Sequence, residues 1–286
     1  MKTLPTPVTP LLCLLFLGVW AACTPPKSDK DYTDRMHAEH QHENPTATPA
    51  TTHDIHKDAG KMITFGREDG QEFKGYYVKR SDTKANAPGL IMIHEWWGLN
   101  DNIKAMAEKY AALGYKVLAV DMYNGTVATK SDEAMPLMRA ATNDFLGSRK
   151  ILKAGYTFLK NEKAAKIGSI GWCMGGFFSL QAAIALPQAL NATVIYYGDV
   201  SKVSRDELAS LQMPILGHFG GLDKGIPLSS VQQFEATLRD LKKNVTINVY
   251  DQADHAFANP SGQRYNPVAA EDAWSKTQSF FQKHLQ

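Results

Sequence analysis

Cysteine is scarce in this sequence: three in 286 residues, at Cys13, Cys23 and Cys173. That scarcity excludes a disulfide-stapled scaffold, the usual solution for small exported domains with thin cores. Neither sign of charge is in excess. Thirty-one Lys and Arg against 29 Asp and Glu leave a formal net charge of +2, too little to draw the chain to a polyanion. No basic stripe interleaved with aromatics runs along it, so nucleic acid is not an expected partner. No internal repeat stands out, and the apolar run near the start is too short for a comfortable transmembrane helix.

What is present divides into two unequal parts. Residues 1–22 read as an export signal: Lys2 gives a positive start, residues 11–20 are apolar, and Ala21 and Ala22 are small. A cysteine directly after two alanines resembles a bacterial lipoprotein signal, in which Cys23 is acylated and becomes the mature N-terminus. Trp20 departs from the aliphatic residue which that pattern prefers, and ordinary cleavage after Ala22 is the alternative. The expectation is an exported protein of the cell envelope, periplasmic or anchored through Cys23, touching the membrane only by that lipid. Cys173 is then the only thiol of the folded part. A lone thiol in an oxidising compartment points to chemistry, against the plainer reading of a buried, inert cysteine.

Residues 24–60 are rich in Pro, Thr, Asp, Lys and His and nearly devoid of bulky apolar side chains. Such a stretch buries too little surface to offset its ordering entropy, so a disordered spacer is expected over 23–60. His37, His40, His42, His53 and His56 lie in it. Imidazoles at this density can bind a transition metal, but no thiolate and no regular spacing supports a closed metal site, and a solvated linker is the simpler reading.

From residue 61 the pattern changes. Residues 61–65 and 72–78 alternate around Asp69-Gly70, as a hairpin does. Residues 89–93 form an unbroken apolar run, the mark of a buried central strand. Asp101 is placed to cap the next helix, in which Ile103, Met106, Ala107 and Tyr110 recur at helical spacing. Further strands are expected at 116–120, 166–170, 192–197, 214–219 and 245–250. Helices are expected at 131–145, 148–161, 177–186, 228–241 and 268–284. Strands alternating with helices imply an α/β fold, a mostly parallel sheet covered on both faces.

The chemistry-bearing residues follow the strands. Gly171-Trp172-Cys173-Met174-Gly175-Gly176 is a G-x-C-x-G nucleophile elbow, a sharp strand-to-helix turn that leaves its middle side chain exposed at the strand end. Residues two before and two after the nucleophile crowd the backbone, so a Cβ is poorly tolerated there. Asp223 and His255 each follow their own strand, where open α/β sheets place ligands. The order nucleophile, acid, histidine is that of α/β-hydrolase triads. Asp121 precedes the nucleophile and breaks that order; His94 and His218 read as hydrogen-bonded structural histidines.

These motifs, with His94-Glu95-Trp96-Trp97-Gly98 and Asp121-Met122-Tyr123, resemble the dienelactone hydrolase family of α/β-hydrolases over residues 61–286. The resemblance implies hydrolysis of small esters or lactones through a Cys173, Asp223, His255 triad, without a metal or organic cofactor. It implies an oxyanion hole from the backbone N–H groups of Met174 and Trp96, and a Glu95 that modulates the thiol. Trp97, Tyr123 and Phe257 are candidate substrate-lining residues. Asn259 stands where family members acting on dienelactone carry an arginine for the substrate carboxylate, which disfavours dienelactone itself; Arg264 is nearby in sequence. A monomer is expected. Two other readings remain open: a thiol acyltransferase or thioesterase on the same machinery, and a non-catalytic surface protein whose His-rich tether binds metal. Helix 131–145 is a lid candidate by analogy only.

Overall fold

The sheet starts at the Asp69-Gly70 turn. Both residues have positive φ, 51° and 81°, as a two-residue type I′ hairpin turn requires. The turn joins β1 (Lys61–Glu68) to β2 (Gln71–Val78), antiparallel, with a register shift between Thr64 and Gly66. The chain is seen here as a computed structural model that describes residues 30–43 and 60–286.

Strands β3 (Gly89–Ile93), β4 (Lys116–Val120), β5 (Ile167–Trp172), β6 (Ala192–Tyr196), β7 (Ile215–Gly220) and β8 (Val245–Tyr250) complete an eight-stranded sheet. Its order is β1-β2-β4-β3-β5-β6-β7-β8. Only the β1–β2 and β2–β4 pairs are antiparallel; from β4 onward every neighbour is parallel. Strands β3 to β7 are buried at every position, which is why they read as continuous apolar runs rather than alternating ones.

Helices α2 (Asp101–Ala112), α3 (Ser131–Asn143), α4 (Phe145–Asn161), α5 (Met174–Ala185), α6 (Arg205–Ser210), α7 (Leu228–Asp240) and α8 (Pro267–Leu285) connect or follow the strands. This is the α/β-hydrolase architecture expected from the sequence. Helix α2 is capped by Asn100, whose side chain accepts from the Ile103 N–H at 3.2 Å. Asp101, expected as the cap, is the first helical residue instead, where its charge favours the helix N-terminus. Helix α6, too short to show a period in sequence, is held by a capping box of Ser204 and Glu207.

The reading of 23–60 as a disordered spacer is corrected over residues 30–43. Lys30–His40 form a helix, α1, followed by a turn. Tyr32, Met36 and His40 lie on one face and are buried, at 1, 0 and 2 % exposure. Composition measures only what a segment can bury against itself; here the partner is a groove of the α/β domain. Cys23, the export signal, His53 and His56 lie outside the described residues. Among the described residues no helix is long and apolar enough to cross a membrane, and no group of three or more His, Cys, Asp or Glu is arranged to hold a metal ion.

Candidate active site

Strand β5 ends at Trp172 and α5 starts at Met174, so the chain turns within one residue. Cys173 absorbs that turn with φ 55° and ψ −119°, a strained conformation for a residue with a side chain. The flanking glycines are required by contact. A Cβ on Gly171 would lie 2.0 Å from the Gly175 carbonyl oxygen, one on Gly175 2.2 Å from that of Ile93, and one on Gly176 2.5 Å from that of Tyr196. The turn is locked by Cys173 N–H donating to the Tyr196 carbonyl at 3.0 Å. Met174 opens α5, so its N–H has no intrahelical acceptor.

Asp223, three residues past β7, and His255, five past β8, meet beside it. His255 Nδ1 is 2.6 Å from Asp223 Oδ2 in a fully buried pair. The other carboxylate oxygen of Asp223 accepts from the Ile226 N–H at 2.9 Å. Burial alone would depress the His255 pKa, but Asp223 and then Cys173 outweigh it and hold the imidazole well above its ordinary value. Burial likewise opposes the charge on Asp223, yet His255 keeps it below the usual carboxylate range. Nδ1 is thus committed to Asp223, which leaves Nε2 for Cys173, whose side chain interacts with the imidazole and lines a small cavity with it.

Glu95, in the loop after β3, lines the same cavity. Burial pushes its carboxyl up to about 7, although His255 and Asn259 pull the other way. Its Oε2 accepts from Asn259 Nδ2 at 2.5 Å. Asn259 Oδ1 accepts from Asn102 Nδ2, the Ser261 N–H and the Ser261 hydroxyl, at 3.3, 2.9 and 2.7 Å. Asn259 therefore ties Glu95 to the loop below, and it lines the same cavity. Arg264 is engaged elsewhere while α1 is seated. Its guanidinium pairs with Glu43 (2.7 Å), Glu39 (3.5 Å) and Asp254 (3.3 Å).

The aromatic candidates separate. Trp96 and Trp97 line the cavity, their rings 4.8 Å apart. Tyr123 donates its hydroxyl to Met174 Sδ at 3.0 Å; burial, then Cys173 and Asp121, hold its pKa far above the usual phenol value. Phe257 is wholly buried among Tyr196, Tyr197 and Tyr250. It is core, a correction to its expected role at the substrate. His94 accepts from the Met122 N–H through Nε2 (3.1 Å), so Nδ1 carries the proton donated to the Glu95 carbonyl (2.6 Å). His218 lies between Tyr250 and Thr277, 3.1 Å from each hydroxyl. Burial depresses it to about 3, so it stays neutral. Asp121 caps its own loop, accepting from the N–H groups of Tyr123 and Gly125.

Sequence reasoning missed the residues that complete the cavity wall. His40 and Glu43 come from the α1 segment, and the Tyr197 ring packs 5.1 Å from that of His255. A signal for α1 exists: Tyr32, Met36 and His40 recur every fourth residue.

The sequence profile of the dienelactone hydrolase family matches residues 73–285. The chain belongs to the dienelactone hydrolase family. Protein usf of Aquifex pyrophilus is 31 % identical over 238 residues, covering 79 % of this chain and 99 % of that one. A candidate carboxymethylenebutenolidase of Saccharolobus solfataricus is 28 % identical over 256 residues, covering 77 % of this chain and 97 % of its own. Among solved structures, a dienelactone hydrolase-like promiscuous phosphotriesterase from metagenomic libraries superposes with a TM-score of 0.72 at 21 % identity, covering 80 % of this chain and 100 % of that one. Membership supports a hydrolase of the ester or lactone type.

Proposed function

We propose that this protein hydrolyses small carboxylic esters or lactones through a cysteine acyl-enzyme. The observation that carries the reading is the buried Asp223–His255 pair beside a thiol on a strained elbow. His255 takes the thiol proton of Cys173, and Sγ attacks the carbonyl carbon. Asp223 holds the imidazole in one tautomer and stabilises its charged form. The tetrahedral oxyanion is met by the N–H groups of Met174 and Trp96. The carbon–oxygen bond then breaks, and His255 returns the proton to the leaving alkoxide. Water attacks the thioester with His255 as base, releasing the acid and restoring the thiol. Glu95, whose carboxyl is pushed up to about 7 and which feels the charge of His255, sets the charge of the resting site. Trp96 and Trp97, which line the cavity, favour an apolar or aromatic ester.

The test is turnover of a panel of p-nitrophenyl esters and small lactones by the full chain and by Cys173→Ala. Loss of turnover in the variant supports the reading; survival removes Cys173 from the mechanism. A competing alcohol or amine in the assay separates hydrolysis from acyl transfer. Export and acylation at Cys23 belong to the same proposal. Metabolic labelling with a fatty acid should mark the wild-type chain and not Cys23→Ser; equal labelling of both would refute the anchor.

A further inference from the structure

Helix α1 lies across the mouth of the site. Tyr32 is buried with its ring 6.2 Å from that of Phe177 in α5, and its phenol is close enough to Cys173 and Asp223 to feel their charges. Met36 packs so closely on Gly225, two residues after Asp223, that a Cβ there would lie 1.8 Å from its methyl carbon. His40 stands over the catalytic pair, 5.0 Å from the His255 ring and 5.4 Å from Trp96. Three side chains from one helix face thus cover the elbow, the acid loop and the histidine together.

The segment is tied down along its length. Arg35 donates to the Gly225 carbonyl at 3.1 Å, and Ser131 of α3 donates to the Gln41 carbonyl at 2.9 Å. Arg139 of α3 pairs with Asp34 at 2.5 Å. Arg264 reaches both Glu39 and Glu43, and Glu43 in turn holds His40 at 2.7 Å. Beneath the helix, the cavity among His40, Glu43, Glu95, Trp96, Cys173 and His255 measures about 20 Å³. That is room for one water. An acyl group on Cys173 does not fit with α1 seated, so His40 in this position cannot act on a bound ester.

We infer that α1 is an intramolecular plug: it occupies the substrate cleft, and turnover requires residues 30–43 to leave it. The inference rests on the hydrolase reading for its effect on turnover, but not for its effect on access to the thiol. Tyr32 and Met36 mark the part of the cleft that an apolar or aromatic substrate takes once the helix is gone.

The test keeps the full chain and changes only the plug. Tyr32→Asp and Met36→Asp, made separately, place a charge that cannot stay buried unpaired; Glu39→Arg sets a like charge against Arg264 with a milder effect on the fold. The first readout is the rate of Cys173 alkylation by iodoacetamide, taken as added mass on the peptide that holds it. The second is turnover of p-nitrophenyl acetate. We expect alkylation to rise about tenfold or more in both aspartate variants and less in Glu39→Arg, with turnover rising in parallel. Unchanged alkylation in all three, with cooperative thermal unfolding retained, overturns the plug. Faster alkylation with falling turnover also overturns it, since α1 would then complete the catalytic site. Faster alkylation with no ester turned over by any form upholds the plug and defeats the hydrolase reading.

Discussion

Glu95 keeps its proton to about pH 7 because burial costs its charge more than His255 and Asn259 return. An unfolded chain releases that proton near the ordinary glutamate value of about 4.3. Between those two values the folded protein holds a proton that the unfolded one has lost, so stability falls as pH rises through the window. The loss is on the order of 3 kcal/mol. Glu95→Gln should therefore gain stability relative to wild type between pH 5 and pH 8, read as a growing difference in urea midpoints; a constant difference would show that Glu95 ionises normally. Asp223→Asn leaves the imidazole without its anion and favours the wrong tautomer. Turnover should fall about 10³- to 10⁴-fold with little change in KM, and a fall under tenfold would leave His255 oriented by something else.

At the scale of elements, the elbow is where geometry and chemistry meet. Gly175 touches the end of β3 so closely that Gly175→Ala must move either the strand or the helix that presents Cys173. A loss of about 3 kcal/mol or more is expected, seen as a lower urea midpoint with slower alkylation of any folded fraction. A stability equal to wild type would mean that the turn is looser than drawn. This turn was legible in the sequence because glycine spacing reports backbone crowding directly. Hairpin β1–β2 was legible for a similar reason, its turn demanding positive φ at Asp69 and Gly70. Phe257 was not. An aromatic two residues after a catalytic histidine can face the cleft or the core, and only the packing of Tyr196, Tyr197 and Tyr250 decides it. The tie from Asn259 to Glu95 and Asn102 was not legible either, because those partners lie more than 150 residues away along the chain.

Across the whole molecule, stability should grade from the middle of the sheet outward. Strands β3, β5 and β6 are buried throughout and paired on both sides, whereas β1 and β8 are edges with exposed positions. Amide exchange should be slowest in β3, β5 and β6 and faster in β1 and β8; uniform protection would contradict a single central core. Helix α1 should exchange faster than either, since it is held mainly by side chains and leaves as a unit. Its docking was the least legible feature of the chain. Patterning within residues 24–60 shows a charged, His-rich segment, and the groove that receives Tyr32, Met36 and His40 is assembled from loops near residues 96, 225 and 255 and from α5 at Phe177. The recurrence of Tyr32, Met36 and His40 marks a helix face, but no local signal names the surface it meets.

The central claim is that Cys173 is acylated during turnover. Intact mass of the full chain after rapid mixing with a p-nitrophenyl ester tests it most directly. Wild type should gain the mass of one acyl group, lost again on standing, while Cys173→Ala gains none and releases no nitrophenol above background. Nitrophenol released by Cys173→Ala at the wild-type rate, or acyl mass found on another residue, would contradict the account.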